Sequence, residues 1–158
     1  MKKFTAFCLL IALLLAGCSS KVTAPFYYCR TDFQEEAIDS LLVSEKRDIT
    51  GHKYQLDFLI SLYLMGPSGK DLVSPFPAGV QLVETHVSNN YLTITLTEMD
   101  DISDFQYSIA CGCMALTCFE ISTYDTVTIL SGDRSITMDP SILTVYDSGL
   151  PIETNNGG

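Results

Sequence analysis

The sequence predicts an α+β domain whose strands are mostly antiparallel. Three observations carry this. Leu92, Ile94 and Leu96 alternate with Thr93, Thr95 and Thr97, the period of a strand with one covered face. One apolar segment, from Tyr54, repeats at helical spacing, and Ser103 with Gln106 forms a capping box that starts a second helix. Short β-branched and aromatic runs bounded by turn residues surround both of them.

Before the domain comes MKKFTAFCLLIALLLAGCSS, with Lys2 and Lys3, an apolar run over residues 4–15, and then Leu15-Ala16-Gly17-Cys18. This is the pattern of a bacterial lipoprotein signal peptide, residues 1–17, cleaved before Cys18. The apolar run is well short of the roughly 20 residues that span a hydrocarbon core. Cys18 is the expected lipidation site, its thiol carrying a diacylglycerol and its acyl chains, palmitate among them, holding the protein to the membrane. The expected place is the extracytoplasmic face of the cell membrane. Ser19 follows, so no aspartate there signals inner-membrane retention. Residues 18–24 read as a lipidated tether, short enough to keep the domain beside the membrane.

In PFYYCR, residues 25–30, the aromatics mark a first strand, and LLVSEKRDI marks a second extended segment. Next comes the first helix, with Leu56, Leu59, Ile60, Tyr63 and Leu64 at helical spacing. Phe58, Leu62 and Met65 widen its apolar face, predicting burial over much of its circumference, and Thr50 is the candidate N-cap. MGPSGK then poses a question, since a glycine, a second glycine and a lysine is how a phosphate loop ends. A phosphate loop needs G-x-x-x-x-G-K-[ST] leading from a strand into a helix. Here the loop follows a helix, Gly66 and Gly69 are three apart, and Asp71 follows Lys70. Gly66 and Pro67 are therefore a helix stop, and the nucleotide reading is set aside.

VQLVETHV and YLTITLTE form an antiparallel hairpin around Ser88, Asn89 and Asn90. Ser103 and Gln106 have the spacing of a capping box, starting a second helix that runs to about Ser122. Its small run Ile109-Ala110-Cys111-Gly112-Cys113 permits close packing. DTVTIL, RSITM and ILTVYD are short strands, and PIETNNGG, residues 151–158, is a tail with little to bury.

With net charge −10, the chain is repelled by nucleic acid and by anionic lipid, so nucleic acid is excluded as a partner and tethering is left to the lipid. Cys29, Cys111, Cys113 and Cys118 remain after lipidation. On one helix, Cys111 and Cys113 point about 200° apart, and Cys111 and Cys118 lie about 10 Å apart along the axis. Buried free thiols are the expectation, with a single disulfide from Cys29 to one of the three the alternative. Glu98, Asp100, Asp101 and Asp104 lack a D-x-[DN]-x-[DN]-G calcium loop and suit a helix N-terminus without any metal. His52 and His86 stand outside any H-E-x-x-H, and there is no G-x-S-x-G. No catalytic, metal or cofactor residue is expected, and the aromatics Phe26, Tyr27 and Tyr28 are assigned to the core.

The order of these elements resembles the GerMN domain of bacterial sporulation and germination lipoproteins and of some actinobacterial lipoproteins. The resemblance rests on Leu62-Tyr63-Leu64-Met65-Gly66-Pro67, on Ser74-Pro75 and Pro77-Ala78-Gly79-Val80 leading into Leu82, and on Leu116-Thr117, Glu120-Ile121, Val127 and Gly132. Ser122-Thr123 replaces the Pro-Gly common in the family, and Cys118 replaces a leucine. The family is similar to ring-building motifs. The resemblance implies a domain over residues 25–150 built as a short sheet with two helices packed on one face. It also implies a non-enzymatic protein-binding or assembly role, in sporulation or germination, with another envelope protein as partner. The alternative is a surface lipoprotein that binds a small ligand or cell-wall glycan.

Overall fold

The computed structural model describes residues 21–31 and 41–141. The signal peptide, Cys18, the run ILTVYD and the tail lie outside the described residues. The elements are β1 (Thr23–Arg30), β2 (Leu42–Asp48), α1 (Leu56–Leu64), β3 (Leu72–Val73), β4 (Leu82–Ser88), β5 (Tyr91–Leu96), α2 (Asp104–Ile121), β6 (Thr126–Ser131) and β7 (Arg134–Met138). They form two sheets, ordered β2-β1-β3 and β4-β5-β6-β7.

The larger sheet is the expected one. Asn89 and Asn90 take φ of 48° and 65°, the two left-handed positions of a two-residue hairpin turn. The β4–β5 pair is antiparallel, with a bulge between Leu82 and Glu84. Leu92, Ile94 and Leu96 are buried, as their alternation predicts. From β5 the chain crosses through α2 to β6, which pairs parallel to β5, and β7 returns antiparallel. Ser103 and Gln106 close the capping box at the start of α2.

Both helices lie on the inner face of this sheet. The Tyr107 hydroxyl of α2 donates to the Ile129 carbonyl of β6 at 3.2 Å. Asp57 of α1 accepts from the hydroxyl of Thr85, which stands opposite Ile94 in the register and so shares its face. The described residues add a second, smaller sheet to the single one expected. Every residue from Ala110 to Cys118 is buried, because α2 runs between the two sheets and meets β1 on one side and β6 and β7 on the other.

The two sheets stay separate because helix side chains cap the free edge of β1. The Tyr27 amide donates to Thr117 Oγ1 at 3.0 Å, and the Tyr27 carbonyl accepts from the Tyr63 hydroxyl at 2.9 Å. β3 reaches only Cys29 and Arg30. Phe26 and Tyr28 pack on Tyr63 of α1, the second pair stacked at 5.0 Å, while Tyr27 and Cys29 face α2. These aromatics are core, as expected.

Three boundaries differ from the sequence expectation. Gln55, not Thr50, is the N-cap of α1, because the Thr50 hydroxyl is taken by the Val22 amide at 2.9 Å. The first strand begins at Thr23 rather than residue 25, since Thr23 and Ala24 pair with Asp48 and Arg47 and Ala24 is buried. α1 buries Leu59, Ile60 and Tyr63 but leaves Phe58 exposed and Met65 82% exposed, because it packs by one face instead of being enclosed. Gly66, at φ 88°, ends the chain's helical run as predicted. Among the described residues no helix is long and apolar enough to cross a membrane.

Candidate functional site

The chemistry-bearing side chains are drawn into the fold one by one. The four described cysteines are free and buried. Burial pushes the Cys111 and Cys118 thiols up to about 12. Cys29 of β1 and Cys113 of α2 are hydrogen-bonded thiol to thiol, which holds Cys29 below the usual thiol range and Cys113 well above it. The pair identifies the partner that the disulfide alternative left open, and in the structure both thiols are free.

The acidic run is answered by Arg134, a partner that sequence reasoning missed because it lies on β7, 30 residues beyond Asp104. Its guanidinium donates to the Met99 carbonyl at 3.2 Å, the Ile102 carbonyl at 2.9 Å and Asp104 Oδ1 at 2.8 Å, and it lies over the Tyr107 ring. Among the described residues no group of histidine, cysteine and carboxylate side chains is arranged to hold a metal. His52 stacks on Phe58 at 4.0 Å and meets Gln55 Oε1 at 2.9 Å, and His86 is exposed on β4. Neither histidine is placed beside a described cysteine.

What the fold leaves open is a surface. β4 is an edge of the larger sheet, with Val83 and Val87 exposed. Glu84 is its only charged residue, and it carries no lysine or proline of the kind that blunts an edge. Beside its start, α1 and β4 enclose a groove of about 320 Å³ lined by Ser61, Leu64, Met65, Val80, Gln81 and Leu82. None of these is aromatic or charged. α1 packs by one face, which leaves Met65 exposed at the groove, and the bulge between Leu82 and Glu84 interrupts the β4–β5 register at its rim.

No protein-family profile matches the sequence, and no curated protein matches it. Among solved structures, the tandem GerMN domains of the sporulation protein GerM from Bacillus subtilis superpose with a TM-score of 0.52 at 18% identity. The fold is that of a GerMN domain. The match covers 75% of this chain and 43% of the GerM chain, so this chain spans less than half the length of that tandem structure. A candidate lipoprotein from Clostridium perfringens is also similar, with a TM-score of 0.48, 15% identity, and coverage of 77% of this chain and 89% of its own. In this GerMN-like fold the hairpin and the crossover helix α2 form the frame, and among the described residues β4 and β7 are the edges of its larger sheet.

Proposed function

We propose that the protein is a non-enzymatic envelope lipoprotein, anchored through Cys18 on the extracytoplasmic face, whose GerMN-like domain binds another envelope protein in an assembly. Sporulation or germination is the proposed setting, on the likeness to GerM. The observation that carries the reading is the β4 edge, open among the described residues, beside the α1–β4 groove. An edge strand offers main-chain hydrogen bonds to an added strand, and an adjacent groove takes its side chains. A glycan or small-ligand site is expected to be lined by aromatics, and Ser61, Leu64, Met65, Val80, Gln81 and Leu82 include none.

The test is photo-crosslinking in intact cells from a reactive residue at Val83, with a Cys18→Ala version as control. The expected result is reproducible capture of the same envelope protein by the tethered form alone. Capture of only lipid and wall material would sink the assembly reading and promote the ligand or glycan binder.

A further inference from the structure

The anchor and the exposed aromatics lie at one pole of the domain. Tyr27 meets Thr117 and Cys29 meets Cys113, so β1 runs antiparallel to α2, and its start lies toward the C-terminal end of that helix. The same end carries the starts of β5 and β6, because α2 is the crossover between them. Val22 is pinned there: its amide donates to Thr50 Oγ1 and its carbonyl accepts from the Ile49 amide at 2.8 Å. Cys18 is four residues earlier, at most about 14 Å of extended chain. An acyl group at Cys18 therefore holds this pole, and the loop of residues 50–54 beside it, against the bilayer surface.

That pole has the chemistry of a membrane interface. Tyr54 is 90% exposed, with the Lys53 ammonium 5.4 Å from its ring centre. Phe58 and Tyr91 are exposed nearby, so three of the four exposed aromatics among the described residues lie at this end. Lys21 and Lys53 stand among them, both exposed. The opposite pole, at the start of α2, gathers Glu98, Asp100, Asp101 and Asp133, with Asp104 paired to Arg134. Carboxylates stand at the anchored pole too, Asp48 beside Lys21 and Asp125 beside the start of β5, so the exposed aromatics, not the net charge, distinguish this end. Tyrosine and lysine are the side chains that settle at the headgroup level, rings toward the acyl boundary and ammonium toward phosphate.

We propose that the domain docks on the lipid surface through Tyr54, Lys53, Phe58, Tyr91 and Lys21, so that it stands on the membrane with the start of α2 outward. This rests on the lipid-anchor reading of Cys18. It refines the expectation that tethering is left to the lipid: the exposed aromatics give the domain a membrane contact of its own. The α1–β4 edge then runs up from the membrane, open to a partner held at the same surface.

The chain contains no tryptophan, so a single one reports its own surroundings. The test uses the mature, lipidated chain in vesicles of equal phosphatidylglycerol and phosphatidylcholine. One variant carries Tyr54→Trp, and a control carries Phe105→Trp at the opposite pole. Both sites are exposed, so neither substitution disturbs the core. Both variants are expected to float with the vesicles, but only the residue-54 reporter shifts to the blue and is quenched by brominated lipid. Adding Lys53→Gln lowers its docked-to-free ratio about fivefold. Floating vesicles in which both reporters stay in water would overturn the docking and leave the anchor standing. Protein that does not float would overturn the anchor reading and the docking with it.

Discussion

The Tyr63 hydroxyl donates to the Tyr27 carbonyl across 2.9 Å, joining α1 to the free edge of β1 where a neighbouring strand would otherwise bond. The Thr117 hydroxyl accepts from the Tyr27 amide at 3.0 Å while donating to the Cys113 carbonyl at 2.9 Å. One residue of β1 is thus held from both helices. Tyr28 adds a third tie, its hydroxyl donating to the Tyr63 carbonyl at 3.3 Å.

Removing either hydroxyl leaves a buried backbone group of Tyr27 without its partner. Tyr63→Phe and Thr117→Val each keep the side-chain volume nearly unchanged, so the cost is that of the orphaned group, about 1–3 kcal/mol. Urea unfolding of the two variants should show lower midpoints with unchanged slopes. A double variant that loses less than the sum of the singles would show that the two bonds hold one unit.

Much of the fold is legible in the sequence because its signals are local. Asn89-Asn90, the Ser103–Gln106 capping box and the Gly66 stop each act within four residues, and each appears where the sequence places it. The smaller sheet was not legible, because the bonds that complete its edge join residues 36 and 90 positions apart. Helical spacing marks Phe58 and Met65 as apolar but cannot say whether the rest of the chain covers them. The same limit hid Arg134: the acids read as a helix N-terminus, and the cation that pairs with Asp104 lies 30 residues further on. The open edge of β4 has no sequence signal at all, since edge or centre depends on which strands pair.

Arg134 makes the next prediction. Its three acceptors hold the loop before α2 against β7, and two of them are backbone carbonyls. Arg134→Gln should cost about 1–3 kcal/mol by unpairing them. Asp104→Asn should cost less than about 1 kcal/mol, since that carboxylate is almost wholly in solvent. Because the cation of the cluster is the arginine itself, millimolar calcium should leave the Tm of the wild-type chain unmoved, and calorimetry with and without chelator checks this.

The thiols predict a reagent count. Cys29, Cys111, Cys113 and Cys118 are buried and free, so a thiol reagent at neutral pH should find none in the folded mature chain. In denaturant without reductant it should find those four and no more if, as proposed, Cys18 is acylated and Cys8 leaves with the signal peptide. A fifth thiol would mean that Cys18 is unmodified, and a count of two would mean that Cys29 and Cys113 had joined.

The same burial sets the alkaline limit of stability. Burial raises Cys118 from 9.0 to about 12, as it does Cys111, and raises Tyr28 from 10.0 to about 12. In each case the folded state favours the neutral form, so the contribution is fully present below the unfolded pKa. It is lost as pH rises through the window from the unfolded to the folded value. Once the unfolded thiol ionises, Cys118 alone should cost about 1.4 kcal/mol per pH unit. Urea midpoints should therefore hold steady through neutral pH and fall increasingly above about pH 9. Cys118→Ala should be less stable throughout but decline less steeply in that range. A parallel decline in the variant and the wild type would show that the loss comes from other groups.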